Sequence, residues 1–313
     1  MPGGQALPIR FFLEGSSVGS LDEPRLGLEL TVTNTGSAAP TVIAYGGDDA
    51  AASGDLQVAP VGGTLAQPLL VRVLDGNGAP AANVGVEWRR RSNLEAAVVV
   101  DTTTTDAFGI ASLTPALPVE DPYLGHVFEA SPVGSPSLVL RFRAAARNGT
   151  QDAVWFGPAA GDGSTPLGYA DWSAAGSWSG GIVPGSSSSV LVPAWDNASV
   201  ASPRLTGNVA VAGIATGSGF QFPYLDLGTY ELSVSGALTG SLVEGTGTIR
   251  MTGTSGSIDV HAPTASLVVP SGASVSLGGF TRTKHATIGG TLQVGEQSLQ
   301  LEGGELLMSG QLL

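Results

Sequence analysis

The 313-residue chain carries 13 basic against 26 acidic residues, a net charge of −13, and so repels phosphate backbones and anionic lipid headgroups; nucleic acid is not an expected partner. It has no cysteine, which excludes disulfides, thiolate metal sites and cysteine nucleophiles. Charged residues make up only 12% of the chain while glycine occurs 46 times, a composition suited to strands and turns rather than helices.

In chain order, residues 1–50 hold alternating segments at Ile9–Leu13 and Leu28–Val32 and a turn at Gly46-Gly47-Asp48-Asp49, which predicts a small β-extension. The start, Met1-Pro2-Gly3-Gly4, lacks the basic-then-apolar pattern of a signal peptide, and no stretch approaches the ~18 apolar residues that would span a bilayer. Export is therefore inferred from the modules and not from a leader.

Residues 51–147 read as a β-sandwich. A strand at Pro68–Leu74 runs into the turn Asp75-Gly76-Asn77-Gly78 and a strand around Val84–Trp88; Thr104 to Ala111 supplies a second turn and strand, and Val127–Ala130 and Leu138–Ala144 close the block. Val71, Val73, Asp75, Gly78, Pro80, Val84 and Val86, then Thr105, Asp106, Gly109 and Ala111, resemble the signature of bacterial immunoglobulin-like domains of the invasin and intimin type. The resemblance covers about a third of the chain and implies an immunoglobulin-like sandwich.

Residues 148–204 read as a linker and aromatic entry cap, with Trp155-Phe156-Gly157, Trp172, Trp178 and Gly180–Gly185 leading into Val190–Pro193. This segment resembles the entry that precedes β-helical stalks in bacterial surface and autotransporter-like proteins. Bulky aromatics there would seal the open end of a solenoid, whose core and strand edges are otherwise exposed.

Residues 205–313 contain an internal repeat of short strands in which two apolar residues flank one that is usually polar: Leu225–Leu227, Leu232–Val234, Ile249–Met251, Ile258–Val260, Leu267–Val269, Val275–Leu277, Leu292–Val294 and Leu299–Leu301. The spacing predicts three-strand rungs of ~20–25 residues, apolar pairs pointing inward. The pattern resembles the right-handed parallel β-helices of extracellular bacterial proteins, from which the handedness is taken. The last residues, Leu306–Leu313, read as part of a further rung, and the natural chain is expected to continue. The fold class expected is thus all-β, an immunoglobulin-like β-sandwich plus a parallel β-helix.

Chemistry is sparse. His126, His261 and His285 stand apart, without metal-ligand spacing, and no G-x-S-x-G elbow occurs. The acidic turns at Asp48-Asp49 and Asp75–Gly78 lack full calcium-loop spacing, and turn formation accounts for both. Asp226, Glu244, Asp259 and Arg250 read as single outward charges of different rungs, solubilising unless they share a face as in polysaccharide-cleaving β-helices. The cluster Arg282-Thr283-Lys284-His285 reads as a loop protruding from the tube; Arg282, Lys284 and His285 with Trp172 and Trp178 form the candidate contact surface. Trp155, Trp172, Trp178 and Trp195 would stack on sugars if exposed in a row and act as a cap if buried. No cofactor, metal or catalytic residue is assigned.

The function expected is non-catalytic: a structural or adhesive protein of the bacterial exterior or cell surface, contacting other proteins or a target surface and, on one reading, glycans. An extrinsic subunit on the periplasmic face of a membrane complex is the alternative, and a glycan-binding or polysaccharide-degrading β-helix a second.

Overall fold

The computed structural model describes residues 42–44, 54–92, 96–119, 123–149, 151–158, 168–195, 200–217 and 225–313. The fold is all-β, with two antiparallel-rich sheets in the N-terminal part and a parallel β-solenoid of about six turns in the C-terminal part. Of the expected N-terminal extension, only Val42–Ala44 is described, paired antiparallel to Leu69–Leu74; the segments at Ile9–Leu13 and Leu28–Val32 and the Asp48-Asp49 turn lie outside the described residues.

The N-terminal sheets have three strands (Val42–Ala44, Leu69–Leu74, Ile110–Leu113) and five (Gln57–Pro60, Leu140–Arg147, Gly125–Pro132, Gly85–Ser92, Val98–Thr104, in spatial order). Strand alternation sends Leu69, Val71, Val73 and Ala111 from one sheet against Val86, Trp88, Phe128, Ala130, Phe142 and Ala144 from the other, all buried in one core. The two turns share a design. Asp75 Oδ1 accepts the N–H groups of Asn77 and Ala79, Asp106 Oδ1 those of Phe108 and Ile110, and Gly78 and Gly109 adopt positive φ. These backbone donors, Ala79 first and then Asn77, hold the exposed Asp75 carboxyl below its ordinary range. Both side chains thus serve their own turns.

After the first turn, whose third side is made of short 3-10 turns, each solenoid turn contributes strands to three faces. The first face stacks Ala153–Val154, Ser189–Val192, Gly213–Thr216, the starts of Ala237–Glu244 and Gly256–Val269, then Ser274–Leu277, Thr291–Gln293 and Gln311–Leu312. The third stacks Val209, Leu232, Ile249, Leu267, Ala286 and Leu306 in register, so rungs on this face are 17 to 23 residues long. Val190, Ile214, Leu238 and Ile258 point inward from the first face, and Leu232, Ile249 and Leu267 from the third, into one continuous core. The aromatic segment closes the early end of that core: the Trp178 ring lies 4.9 Å from Trp155 and 4.6 Å from Trp172, edge to face, and all three are buried. Segment 148–204, read from sequence as linker and cap, also carries the first strands of the parallel ladder.

The outward column of the first face explains where the sandwich sits. In register it reads Val154, Leu191, Ala215, Thr239, Asp259: apolar over three turns, then polar. Val154, Leu191 and Ala215 form a separate buried cluster with Ala145 of the sandwich and with Phe156 and Trp195. Backbone pairing seals the joint. Gly125 donates to Ala194 O at 2.8 Å, Ala194 to Tyr123 O at 3.0 Å, and the Arg143 guanidinium caps the carbonyls of Phe156 and Gly157 at 2.9 Å each.

Some corners between faces leave no room for a side chain. A Cβ at Gly253 would sit 1.6 Å from the Ser235 carbonyl of the preceding turn, a backbone atom that no rotamer change can move. Gly253→Ala is expected to prise these turns apart at a cost of about 2–3 kcal/mol, read as a lowered denaturation midpoint with the denaturant slope unchanged; an unaltered midpoint would show that the corner yields freely.

Candidate functional site on an outer face of the solenoid

The second face carries several of the solenoid's ionisable groups. Parallel pairing places Asp171, Arg204, Asp226 and Glu244 directly above one another on four successive strands, where rungs stack about 4.8 Å apart. Arg204 Nε donates to Asp226 Oδ2 at 2.5 Å, and its guanidinium carbon stands 4.4 Å over the Tyr169 ring. The Tyr169 hydroxyl donates to Glu244 Oε2. Burial, then the hydrogen bond and charge of Glu244, push the Tyr169 phenol well above its ordinary value, so it stays a donor. Asp226 is nearly buried, its Oδ1 accepting the Gly228 N–H at 2.7 Å. Gly245, at φ +88°, passes beneath it where a Cβ would come within 2.8 Å of that oxygen. Desolvation opposes ionisation of Asp171, but hydrogen bonds from Thr206 and Ser173 outweigh it and hold the carboxyl below the usual range. The arrangement is a stacked donor–acceptor patch with two carboxylates in adjacent turns, each engaged by a cationic or phenolic neighbour.

Farther along the same face His261, Arg282 and Gln300 are in register. Arg282 Nε donates to Glu302 Oε1 at 2.5 Å, and its Nη1 lies 3.2 Å from His261 Nε2. Burial and the Arg282 charge lower the His261 pKa. The expected protruding loop at 282–285 is corrected by the structure: these residues lie within the strand Thr281–Ile288. Thr281 and Thr283 take inward positions that aliphatic residues fill elsewhere, which is why the apolar repeat breaks off without the strand doing so. Their hydroxyls donate to Ile258 O at 3.2 Å and His285 O at 3.1 Å, satisfying groups that are wholly buried. Lys284 is exposed, while His285 Nδ1 accepts the Glu305 N–H at 3.2 Å.

Arg282, Lys284 and His285 thus share one strand, far along the tube from Trp172 and Trp178, which are only 2% and 1% exposed and present no face to a partner. Trp155 and Trp195 are buried too, so none of these rings forms a stacking row for sugars. Among the charges flagged from sequence, Asp226 and Glu244 come together, whereas Arg250 pairs with Glu231 on the third face at 2.9 Å and Asp259 lies on the first. Tyr169 and Arg204 were not singled out from sequence; only the register of the first turns reveals them. Among the described residues no three His, Asp or Glu side chains are grouped to hold a metal ion, and no helix is long and apolar enough to cross a membrane. No known protein-family model matches the chain, and a search of curated proteins finds no match.

Proposed function

We propose that this chain is a non-catalytic structural or adhesive protein of the bacterial envelope or exterior, in which an immunoglobulin-like spacer is fused to a stiff β-solenoid. The observation that carries this reading is the joint: two modules share a buried cluster and backbone hydrogen bonds, so that the solenoid extends from the sandwich at a fixed angle. Stacked strands supply length and rigidity, and the outer faces supply contacts. The immunoglobulin-like reading of the sandwich draws support from its strand order, with Gln57–Pro60 parallel to the last strand, Leu140–Arg147, and the remaining neighbours antiparallel. Right-handed winding of the solenoid is part of the same proposal. Fractionation with protease shaving of intact cells tests it: the chain should be recovered outside the cytoplasm, on the surface or on the periplasmic face of a membrane complex, and recovery in the cytosol would overturn it.

The stacked patch of Tyr169, Arg204, Asp226 and Glu244 favours a second reading, a glycan-binding or glycan-cleaving β-helix, since acidic residues of neighbouring turns do align. A panel of acidic and neutral polysaccharides, incubated with the wild type and with Glu244→Gln, separates the readings. Binding or depolymerisation lost in the variant would place this one first; an inert wild type would remove it.

A further inference from the structure

We propose that the Asn148-Gly149 pair, where the chain leaves the sandwich for the solenoid, is a self-modification site: it loses ammonia through a succinimide and leaves aspartate or isoaspartate at position 148. Asn-Gly occurs twice in the chain, at Asn77-Gly78 and at Asn148-Gly149, and the structure treats the two differently. Asn148 and Gly149 are both exposed, just past the end of Leu140–Arg147. Gly149 has φ +80°, and a Cβ there would meet nothing within 4 Å, so the main chain stands in open space. Among the described residues neither the Asn148 side chain nor the Gly149 N–H has a hydrogen-bond partner. The two ends of this loop are anchored: Arg147 Nη1 donates to Gln151 O at 2.9 Å, Arg147 O accepts the Val61 N–H at 3.1 Å, and the Asp152 N–H donates to Ser189 O at 2.9 Å.

At Asn77-Gly78 the same groups are engaged. The Gly78 N–H donates to Asp75 O at 3.0 Å, the Asn77 N–H to Asp75 Oδ1 at 2.8 Å, and the Asn77 side-chain amide bonds the same carboxylate. The nitrogen that would attack is committed as a donor, and the amide that would be attacked is pinned. The Asp75 charge also opposes the negative charge that attack builds up. Asn148 lacks these restraints among the described residues, and the Arg147 guanidinium that closes its loop favours that charge.

The reaction needs only water. The Gly149 amide nitrogen loses its proton and bonds to Asn148 Cγ, closing a five-membered ring; the Cγ–Nδ2 bond breaks, and the departing nitrogen takes a proton and leaves as ammonia. Water then opens the ring at either carbonyl, with nothing oxidised or reduced. Attack at Cγ gives aspartate on the ordinary backbone, whereas attack at the main-chain carbonyl gives isoaspartate, whose link to Gly149 runs through Cβ and Cγ. Either product replaces a neutral amide by a carboxylate. Isoaspartate also lengthens the connection between Leu140–Arg147 and Ala153–Val154.

Peptide mapping by mass spectrometry of the full chain, aged in heavy-oxygen water at mildly alkaline pH, tests this. Trypsin cuts after Arg147 and so puts Asn148 on a different peptide from Asn77. In the folded protein position 148 should take up heavy oxygen at least about tenfold faster than position 77, with isoaspartate among the products. In guanidinium chloride, where the Asp75 turn is lost, the two pairs should react at similar rates. Gly149→Ala, whose methyl group crowds the attacking nitrogen, should slow the reaction at 148 by about tenfold or more. Equal rates at the two pairs in the folded chain, no uptake at 148, or a Gly149→Ala variant as fast as the wild type would each overturn the proposal. So would a difference that persists in guanidinium chloride, since local sequence and not the fold would then set it.

Discussion

Trp195→Ala is expected to cost about 3–5 kcal/mol and to split a single cooperative melt into two. Trp195 is 7% exposed, its indole N–H donates to Trp155 O at 3.2 Å, and its ring sits 5.3 Å from Phe156. On its other side is Gly125 of the sandwich, where even a methyl group would come within 2.1 Å of the ring. The side chain therefore fills the space between the modules, and its loss leaves a cavity bordered by Leu191, Ala215 and Ala145, elements with separate cores of their own. Differential scanning calorimetry is the measurement: one transition in the wild type, two in the variant, with the calorimetric enthalpy of the latter exceeding its van't Hoff value. Gly125→Ala approaches the same joint from the opposite wall and should act in the same direction. If both variants melt as the wild type does, the modules are not coupled there and a rigid joint no longer supports the stalk reading.

Much of this architecture is legible in the sequence because strand periodicity is a local property. The triplets Leu232–Val234, Ile249–Met251 and Leu267–Val269 announce an inward, outward, inward alternation, and in the structure they stack on one another. What stays hidden depends on register. Asp226 and Glu244 are 18 positions apart and could lie on any two of three faces; a parallel ladder makes them neighbours, and the same ladder sends Asp259 to the face that carries Thr239. Thr281 and Thr283 mislead for a related reason: a β-branched residue with a satisfied hydroxyl can replace valine on the inward side, so a break in hydrophobicity need not be a break in the strand. Trp195 is visible as an aromatic, but its place between modules follows only from the three apolar outward residues of the first face, which residue type alone does not distinguish from core.

Acidification should destabilise the fold through His126. This residue is 1% exposed near the start of the sandwich strand Gly125–Pro132, and neither ring nitrogen has a hydrogen-bond partner among the described residues. Burial, with a smaller contribution from the Arg90 charge, lowers its pKa to about 4, against an ordinary ~6.5 in the unfolded chain. Above the unfolded value both states hold a neutral imidazole and nothing is lost. As pH falls from there the unfolded chain takes up a proton that the folded one refuses, so stability declines until the folded pKa is passed, by about 3 kcal/mol in all. Carboxylates titrate in part of the same window, so the informative quantity is the difference from His126→Leu, in which this proton is absent and two unsatisfied nitrogens are replaced by apolar surface. Urea denaturation at pH 7 and pH 4 should show the wild type losing more stability than the variant by nearly that amount. Equal losses would mean that the imidazole is hydrated or paired in solution, and that its end of the sandwich opens to water more readily than its burial implies.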